Sequence, residues 1–520
     1  MKKYRTSILL AILFMAITGF ECTKPKTTPA PIQASSYAPL IPVLKGVENN
    51  PLLRIALFIP EGNNEQQVTA ISAQLNAEAL ASIKQLDIFL TGAEQFSPMN
   101  KITTVVPGQT SLDISVDLKL KPGLHFIWVS GQLRADAPLL KKIEFHCTAL
   151  KLGAGTTLPI KEANSGYSKY TGVAVRKAGD DGVNTFRIPG VALTNKGTLI
   201  SVYDIRYNNS TDLPGNIDVG MSRSVDGGST WQPMKVIMDM GAPHENNGVG
   251  DPAILVDPAT GRIWVAALWS KGNRSIAGSL PGISPDTTGQ FVVVSSDDDG
   301  ITWSAPKTLT PQIKNPIWHL FFNGPGSGIA MQNGHLVFAA QYWDENKKPW
   351  STIIYSDDHG NSWKGKINGP KINTTESQVV ETAPGILMLN MRDNRGGFRS
   401  VATTSNYGQT WTEHGTSFNA LPDPVCMASI IKASVRISGT SKDILFFSNA
   451  NTSSGRYNIT IKASSDLGES WPAKDQIMID ERTCYGYSSL VRINENTIGI
   501  LYEGVKDLYF VAIPVSDIIK

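Results

Sequence analysis

One eight-residue pattern recurs five times after residue 170 of this 520-residue chain, and it limits the fold more than any other feature. The copies are Ser224-Val-Asp-Gly-Gly-Ser-Thr-Trp231, Ser296 to Trp303, Ser356 to Trp363, Thr404 to Trp411 and Ser464 to Trp471. Each has a hydroxyl residue, an Asp (Asn406 in the fourth) two places on, a Gly four on and a Trp seven on. The Asp and Asn positions 226, 298, 358, 406 and 466 lie 72, 60, 48 and 60 residues apart. The pattern reads as a hairpin turn: the Asp accepts backbone N–H bonds, the Gly takes the positive φ that side chains resist, and the Trp returns into the sheet. A period of about 50 to 60 residues corresponds to one four-stranded blade per repeat. Residues 170–520 hold about six such units, so the spacing predicts an all-β, six-bladed β-propeller. The octet aspartates are structural, and none is assigned to chemistry.

The preceding stretch is also all-β. Ser111 to Leu120 alternates strictly, which places Leu112, Ile114, Val116, Leu118 and Leu120 on one face. Leu52 to Ile59, Ser82 to Leu90, Gly123 to Ser130 and Lys141 to Leu150 are similar short runs, several of them divided by turn residues such as Pro60-Glu-Gly-Asn-Asn64 and Pro122-Gly123. They predict a small antiparallel β-sandwich over 49–152, followed by a Gly-bearing linker over 153–169. Trp128 reads as a filler of that core. No candidate for chemistry lies before residue 170, so a chain starting near Tyr170 is expected to fold and act alone.

Met1 to Arg5 is basic and Ile8 to Phe20 almost wholly apolar, too short a run to span a bilayer. Residues 1–22 therefore read as a signal peptide, and 23–48 as a flexible, Pro-bearing tether. Cys22 stands where an acylated cysteine would, but Gly19-Phe20-Glu21 departs from the small residues expected before one. Export is the expectation, with periplasmic, lipid-anchored and secreted forms all open. The remaining Cys147, Cys426 and Cys484 form neither a disulfide framework nor a zinc cluster, and read as buried thiols. A net charge of +2 gives no reason to expect nucleic acid as a partner.

Five octets, Thr185-Phe-Arg-Ile-Pro-Gly190 and Tyr203-Asp-Ile-Arg-Tyr-Asn-Asn-Ser-Thr-Asp212 together resemble the bacterial sialidases (neuraminidases), over roughly residues 170–515. In that family the octets are called Asp boxes, and an accessory, carbohydrate-binding-like β-sandwich often precedes the propeller. Asp boxes also occur in propellers without activity, so the fold alone does not settle function.

The resemblance implies a site. Sialic acid carries a carboxylate on its anomeric carbon, and arginine offers the planar, bidentate, permanently charged donor that a carboxylate needs. Arg187, Arg392 (in Leu389-Asn-Met-Arg-Asp-Asn-Arg395) and Arg456 (in Ser454-Gly-Arg-Tyr457) match the family's arginine triad; Arg395 and Arg399 are rivals to Arg392. Arg206 matches a further site arginine, and Asp251 is expected to line the pocket. Asp212 matches the general acid/base. Tyr487, in Tyr485-Gly-Tyr-Ser-Ser-Leu490, matches the nucleophile. Glu376 matches its base, with Glu381 as alternative, and Glu503 matches the carboxylate that orients the first arginine. A second carboxylate would be repelled by the substrate's own, whereas a tyrosine is neutral until it gives up its proton; the family is a recognised exception among retaining glycosidases. Trp318 to Phe322 with Pro325-Gly326 is expected as an apolar wall for the N-acetyl group. The implied activity is exo-acting, retaining hydrolysis of terminal sialic acid from glycans, with no metal or organic cofactor. Transfer of the sialyl group, internal attack giving an anhydro product, and a binding propeller without turnover are the alternatives.

Overall fold

The computed structural model describes residues 30–520; the expected signal peptide and Cys22 lie outside them. Strands dominate throughout, with a few short helical turns. After residue 180 the chain makes a succession of antiparallel sheets in propeller-like order. The first is built from Thr185–Leu193, Leu199–Arg206, Ile217–Ser224 and Lys235–Met238. Sheets opening on Val249–Val256, Leu320–Asn323, Thr374–Ala383 and Ser429–Ile437 follow. Their opening strands meet around a common axis, and Ser488–Asn494 near the C-terminus lies against Thr185–Leu193, closing the circuit.

The octets do in structure what their chemistry suggests. In the first, Asp226 Oδ1 accepts from Thr230 N at 2.9 Å and from Ser224 Oγ at 2.8 Å, while Gly228 N donates to Ser224 Oγ at 2.9 Å. Gly228 has φ +92°, and a Cβ there would lie 2.1 Å from the Phe510 ring, so both backbone and packing demand glycine. Trp231 then meets Phe510 edge-on, 5.3 Å between centroids. Four of the octets join two strands of one sheet and the third follows the last strand of its own, and octet glycines pack against the preceding sheet, Gly228 on Phe510, Gly360 on Trp264 and Gly468 on Met388.

Five blades stand as separate sheets, one fewer than expected. Ser488–Asn494, Thr497–Glu503 and Leu508–Pro514 form three antiparallel strands without an octet, because their fourth strand comes from upstream: Ser168–Arg176 pairs with Leu508–Pro514. That strand also pairs with Lys142–Leu152, so hydrogen bonding runs on unbroken into a 14-stranded sheet with the N-terminal region. A repeat count cannot see a strand donated across a domain junction.

The N-terminal region is β as expected. Two layers enclose one core that includes Leu53, Ile55, Leu57, Ile71, Ile88, Ile127, Ile143 and Leu150. Ser111–Leu120 buries Ile114, Val116, Leu118 and Leu120 as the alternation predicts. Trp128 is buried against Phe96 and Arg54. The tether and linker expectations need correction. Gln33–Tyr37 pairs with Asn50–Ile59, and Val43–Lys45 pairs in parallel with Ser168–Arg176. Within the expected linker, Thr157–Glu162 is a strand and Ser168 opens the shared one.

These contacts also argue against an independent body from Tyr170. Lys45 Nζ donates to Ser229 O at 2.6 Å in the first octet, and Tyr37 and Leu40 both bond Glu481. Removing 30–169 uncovers one edge of Ser168–Arg176 and the apolar surface beneath it. We expect a chain beginning at Tyr170 to lose roughly 10 °C or more in Tm, or to aggregate on expression. Equal Tm and activity for the two lengths would show that the junction carries no stability.

Candidate active site

The site is assembled where opening strands leave regular pairing. Thr185–Leu193 shifts register between Arg187 and Gly190, Val249–Val256 between Gly250 and Ala253, and Thr374–Ala383 between Thr374 and Ser377. Each shift falls beside a candidate residue: Arg187, Asp251 and Glu376. Such bulges re-aim side chains at the end of a strand. Ile188 and Asp251 both sit at φ +57°, a conformation a β-branched residue adopts only under constraint from its surroundings.

The constraint on Ile188 is Glu503. This fully buried carboxylate accepts from Arg187 Nε at 3.1 Å and Ile188 N at 2.9 Å through one oxygen, and from Tyr487 N at 2.9 Å through the other. Asp204 plays the matching part next door. Its Oδ2 accepts from Arg206 Nε and Nη2 at 3.1 and 2.8 Å, and its Oδ1 from Asp251 N at 2.8 Å. Sequence reasoning missed Asp204, although it shares a strand face with Arg206 by the period of two.

Tyr487 is the hub. Its ring packs on Ile188, Cys426 and Met427, with the guanidiniums of Arg187 and Arg456 at 5.3 and 5.7 Å from its centroid. Its hydroxyl donates to Glu376 Oε1 at 2.5 Å and accepts from Arg392 Nη1 at 3.1 Å. Arg392 Nη1 also meets Glu376 Oε2 at 2.5 Å, and Arg392 Nε is buried without a partner. Burial first, and then the Glu376 carboxylate, push the phenol well above its ordinary pKa, so at rest it is neutral. Arg456 is fixed by the carbonyls of Tyr485 and Val425 at 2.9 and 3.2 Å.

Asp212, on the loop between Leu199–Arg206 and Ile217–Ser224, reaches the cluster from the rim. Arg187 Nη1 and Arg206 Nη1 meet its Oδ1 at 3.2 and 2.7 Å. Burial works against its charge, but Arg206 and Arg187 outweigh it and hold the carboxyl below its ordinary range. The carboxyl held high is Asp251, by burial and then by Asp204, Glu376 and Asp212.

The rivals fall elsewhere. Arg399 is fully buried on Asn390, Asp423 and the Cys426 carbonyl. Arg395 pairs with Asp393. Glu381 accepts from Gln332 N and Gly385 N, both at 2.8 Å, away from Tyr487. A cavity of about 220 Å³ is lined by Ile188, Asp212, Asp251, Thr375, Glu376, Arg392, Asn394 and Tyr487, together with Gln341 and the apolar Ile276, Phe322 and Trp343. Of the expected apolar wall, Phe322 lines it; Trp318 is instead stacked on Tyr342, 3.8 Å between centroids. Ile276, Gln341, Trp343 and Asn394 carried no sequence signal. All three remaining cysteines are buried and unpaired.

The arrangement is a cavity edged by Arg392 and three carboxyl side chains, with the Glu376-contacted Tyr487 on its wall. Comparison with known proteins gives the family. Residues 208–500 match the BNR repeat-like domain, and residues 31–156 match the N-terminal domain of BNR-repeat neuraminidase. A sialidase of Bacteroides fragilis (strain YCH46) is 42% identical over 505 residues, covering 92% of this chain and 91% of that protein. A sialidase of Micromonospora viridifaciens is 33% identical over 349 residues, covering 65% of this chain and 53% of that protein. Among solved structures, Hadza microbial sialidase Hz136 superposes with a TM-score of 0.87 at 38% identity, covering 93% of this chain and all of that one. The chain belongs to the sialidase (neuraminidase) family of glycoside hydrolases.

Every partner of Glu503 is a donor, so Glu503→Gln must turn an amide N–H towards one of them and leaves Arg187 half-paired. We expect a loss of about 3 kcal/mol in denaturant unfolding. Unchanged stability would show that the buried carboxylate is not what holds the site.

Proposed function

We propose that this chain is an exo-α-sialidase that removes terminal sialic acid from glycans with retention of configuration, through a covalent intermediate on Tyr487. The contact between the Tyr487 hydroxyl and Glu376 Oε1, 2.5 Å inside a ring of guanidiniums, carries the reading. Arg187, Arg392 and Arg456 would hold the substrate's carboxylate, with Arg206 and Asp251 at the ring substituents. Glu376 would take the phenol's proton as the oxygen attacks, since a phenol of raised pKa is a poor nucleophile without a base. Arg392, touching both, would stabilise the phenolate as it forms. Asp212 would protonate the leaving oxygen and then activate water. A neutral tyrosine suits an anionic centre that a carboxylate nucleophile could not approach. That acid, base and nucleophile are assembled around one cavity favours turnover over a lectin-like role.

Three further readings belong with this one. Ser488–Asn494, Thr497–Glu503 and Leu508–Pro514 with Ser168–Arg176 would serve as a sixth blade, which the contact between Thr185–Leu193 and Ser488–Asn494 supports. The β-sandwich would end, and the propeller begin, at the shared strand Ser168–Arg176. The basic start and apolar run before residue 22 support export.

Leaving groups separate the roles. An aryl sialoside needs little protonation and an alkyl one needs much. We expect Asp212→Ala to lose about 100-fold or more on alkyl-linked substrates and far less on aryl ones. Tyr487→Phe and Glu376→Gln should suffer on both. Equal losses for Asp212→Ala on the two substrates, or an inverted anomer as first product by NMR, would contradict the assignment.

A further inference from the structure

In the free protein Asp212 is held in a state unsuited to an acid. Its Oδ1 lies between Arg187 Nη1 and Arg206 Nη1, and a carboxylate so paired keeps its charge. Yet Arg187 is also a guanidinium that a ligand's carboxylate must reach. The two arginines are fixed without Asp212: Arg187 by Glu503, and Arg206 by Asp204 and the Ser210 carbonyl at 2.8 Å. Their side chains are 10% and 2% exposed, whereas that of Asp212 is 68% exposed on a loop. If one member of this cluster moves, it is Asp212.

A charge count points the same way. The guanidiniums of Arg187, Arg206, Arg392 and Arg456 stand against the carboxylates of Asp204, Asp212, Glu376 and Glu503, four against four. Burial, and then its acidic neighbours, hold the Asp251 carboxyl well above its ordinary range, and Tyr487 is a neutral phenol. An anionic ligand adds a fifth negative charge to a balanced, largely buried set. Such excess charge is relieved by protonating a member of the set.

We propose that Asp212 is a stand-in for the substrate's carboxylate: the ligand displaces it from Arg187 and draws it off Arg206 as well, and the freed Asp212 takes a proton from solvent and so becomes the acid of the first step. The inference rests on the proposed reading of the site. The step exchanges one ion pair for another and adds one proton to Asp212, which later passes to the glycosidic oxygen; no other bond changes. Of the groups facing Asp212, Arg206 stays on Asp204 and the Ser210 carbonyl, Arg456 on the Tyr485 and Val425 carbonyls, Asp251 is held above its ordinary range, and Glu376 stays engaged by Arg392 and Tyr487. The substrate thereby arms the acid that cleaves it, and the acid is not spent on stray proton transfer while the pocket is empty.

The test is calorimetric titration of the full chain with free sialic acid near pH 6, in buffers of different ionisation enthalpy. We expect uptake of about one proton per sialic acid bound. In Asp212→Asn, which preserves shape on an exposed loop, the uptake should vanish and binding should tighten roughly tenfold, because a competing like charge is gone. Wild-type binding without proton uptake, uptake that persists in Asp212→Asn, or weaker binding by that variant would each overturn the proposal. Arg187→Lys separates this from the parent reading: if it leaves sialic acid binding unchanged, the site assignment itself fails, whereas binding lost there with no uptake in the wild type sinks only the displacement of Asp212.

Discussion

The structure depends on one buried carboxylate. Glu503 ends a strand near the C-terminus, and its three donors come from both ends of the propeller-like body: Arg187 and Ile188 from the opening sheet, and Tyr487 from the closing strands. The seam where the circuit closes is thus the place where the arginine and the tyrosine of the site are set relative to each other. A carboxylate taken fully out of water is tolerable only when its lone pairs are met, and here each oxygen has a donor. The same bonds hold Ile188 at a positive φ, which ends regular pairing just after Arg187 and puts Ile188 on the cavity wall. Closure, backbone strain and side-chain aim are therefore one feature.

The surrounding electrostatics follow a rule of substitution. Every guanidinium of the site is held by groups of the chain itself: Arg187 by Glu503 and Asp212, Arg206 by Asp204, Arg392 by Glu376, and Arg456 by two carbonyls. Burial alone would work against the charge of Arg187, Arg206 and Arg392, and their carboxylate partners keep it. They also leave the arginines pre-organised, so a ligand meets fixed donors rather than ordering them. Of the four carboxylates involved, Glu503 and Asp204 bond backbone as well as arginine and cannot leave without cost. Glu376 is tied to Tyr487, and Asp212 has no such second duty.

Much of this was legible before any coordinates. The octets announce themselves because a turn that needs Asp, Gly and Trp at fixed offsets leaves a local signature, and Phe-Arg-Ile-Pro and Tyr-Ser-Ser-Leu mark their residues because the backbone there is special as well as the side chain. Arg392 could be preferred over Arg399 because it follows Glu376 by sixteen residues, a spacing similar to the family's, and the structure places the two in different surroundings. The number of separate sheets was not legible, because Ser168–Arg176 straddles the expected boundary between linker and propeller and pairs on both sides of it. Asp204 was within reach, two places before Arg206 on the same face. Ile276, Trp343 and Asn394 were not: they come from loops and strand ends of different sheets, and their meeting at one cavity is a property of the fold rather than of any segment.

The central claim is that the Tyr487 oxygen, contacted by Glu376, attacks the sugar. A fluorinated sialyl donor that slows breakdown of the intermediate tests it directly, by intact mass and peptide mapping of the trapped protein. The account predicts one sialyl adduct, located on Tyr487 and absent from Tyr487→Phe. An adduct on Glu376 or Asp212, or full turnover with no adduct at any stage, would contradict it.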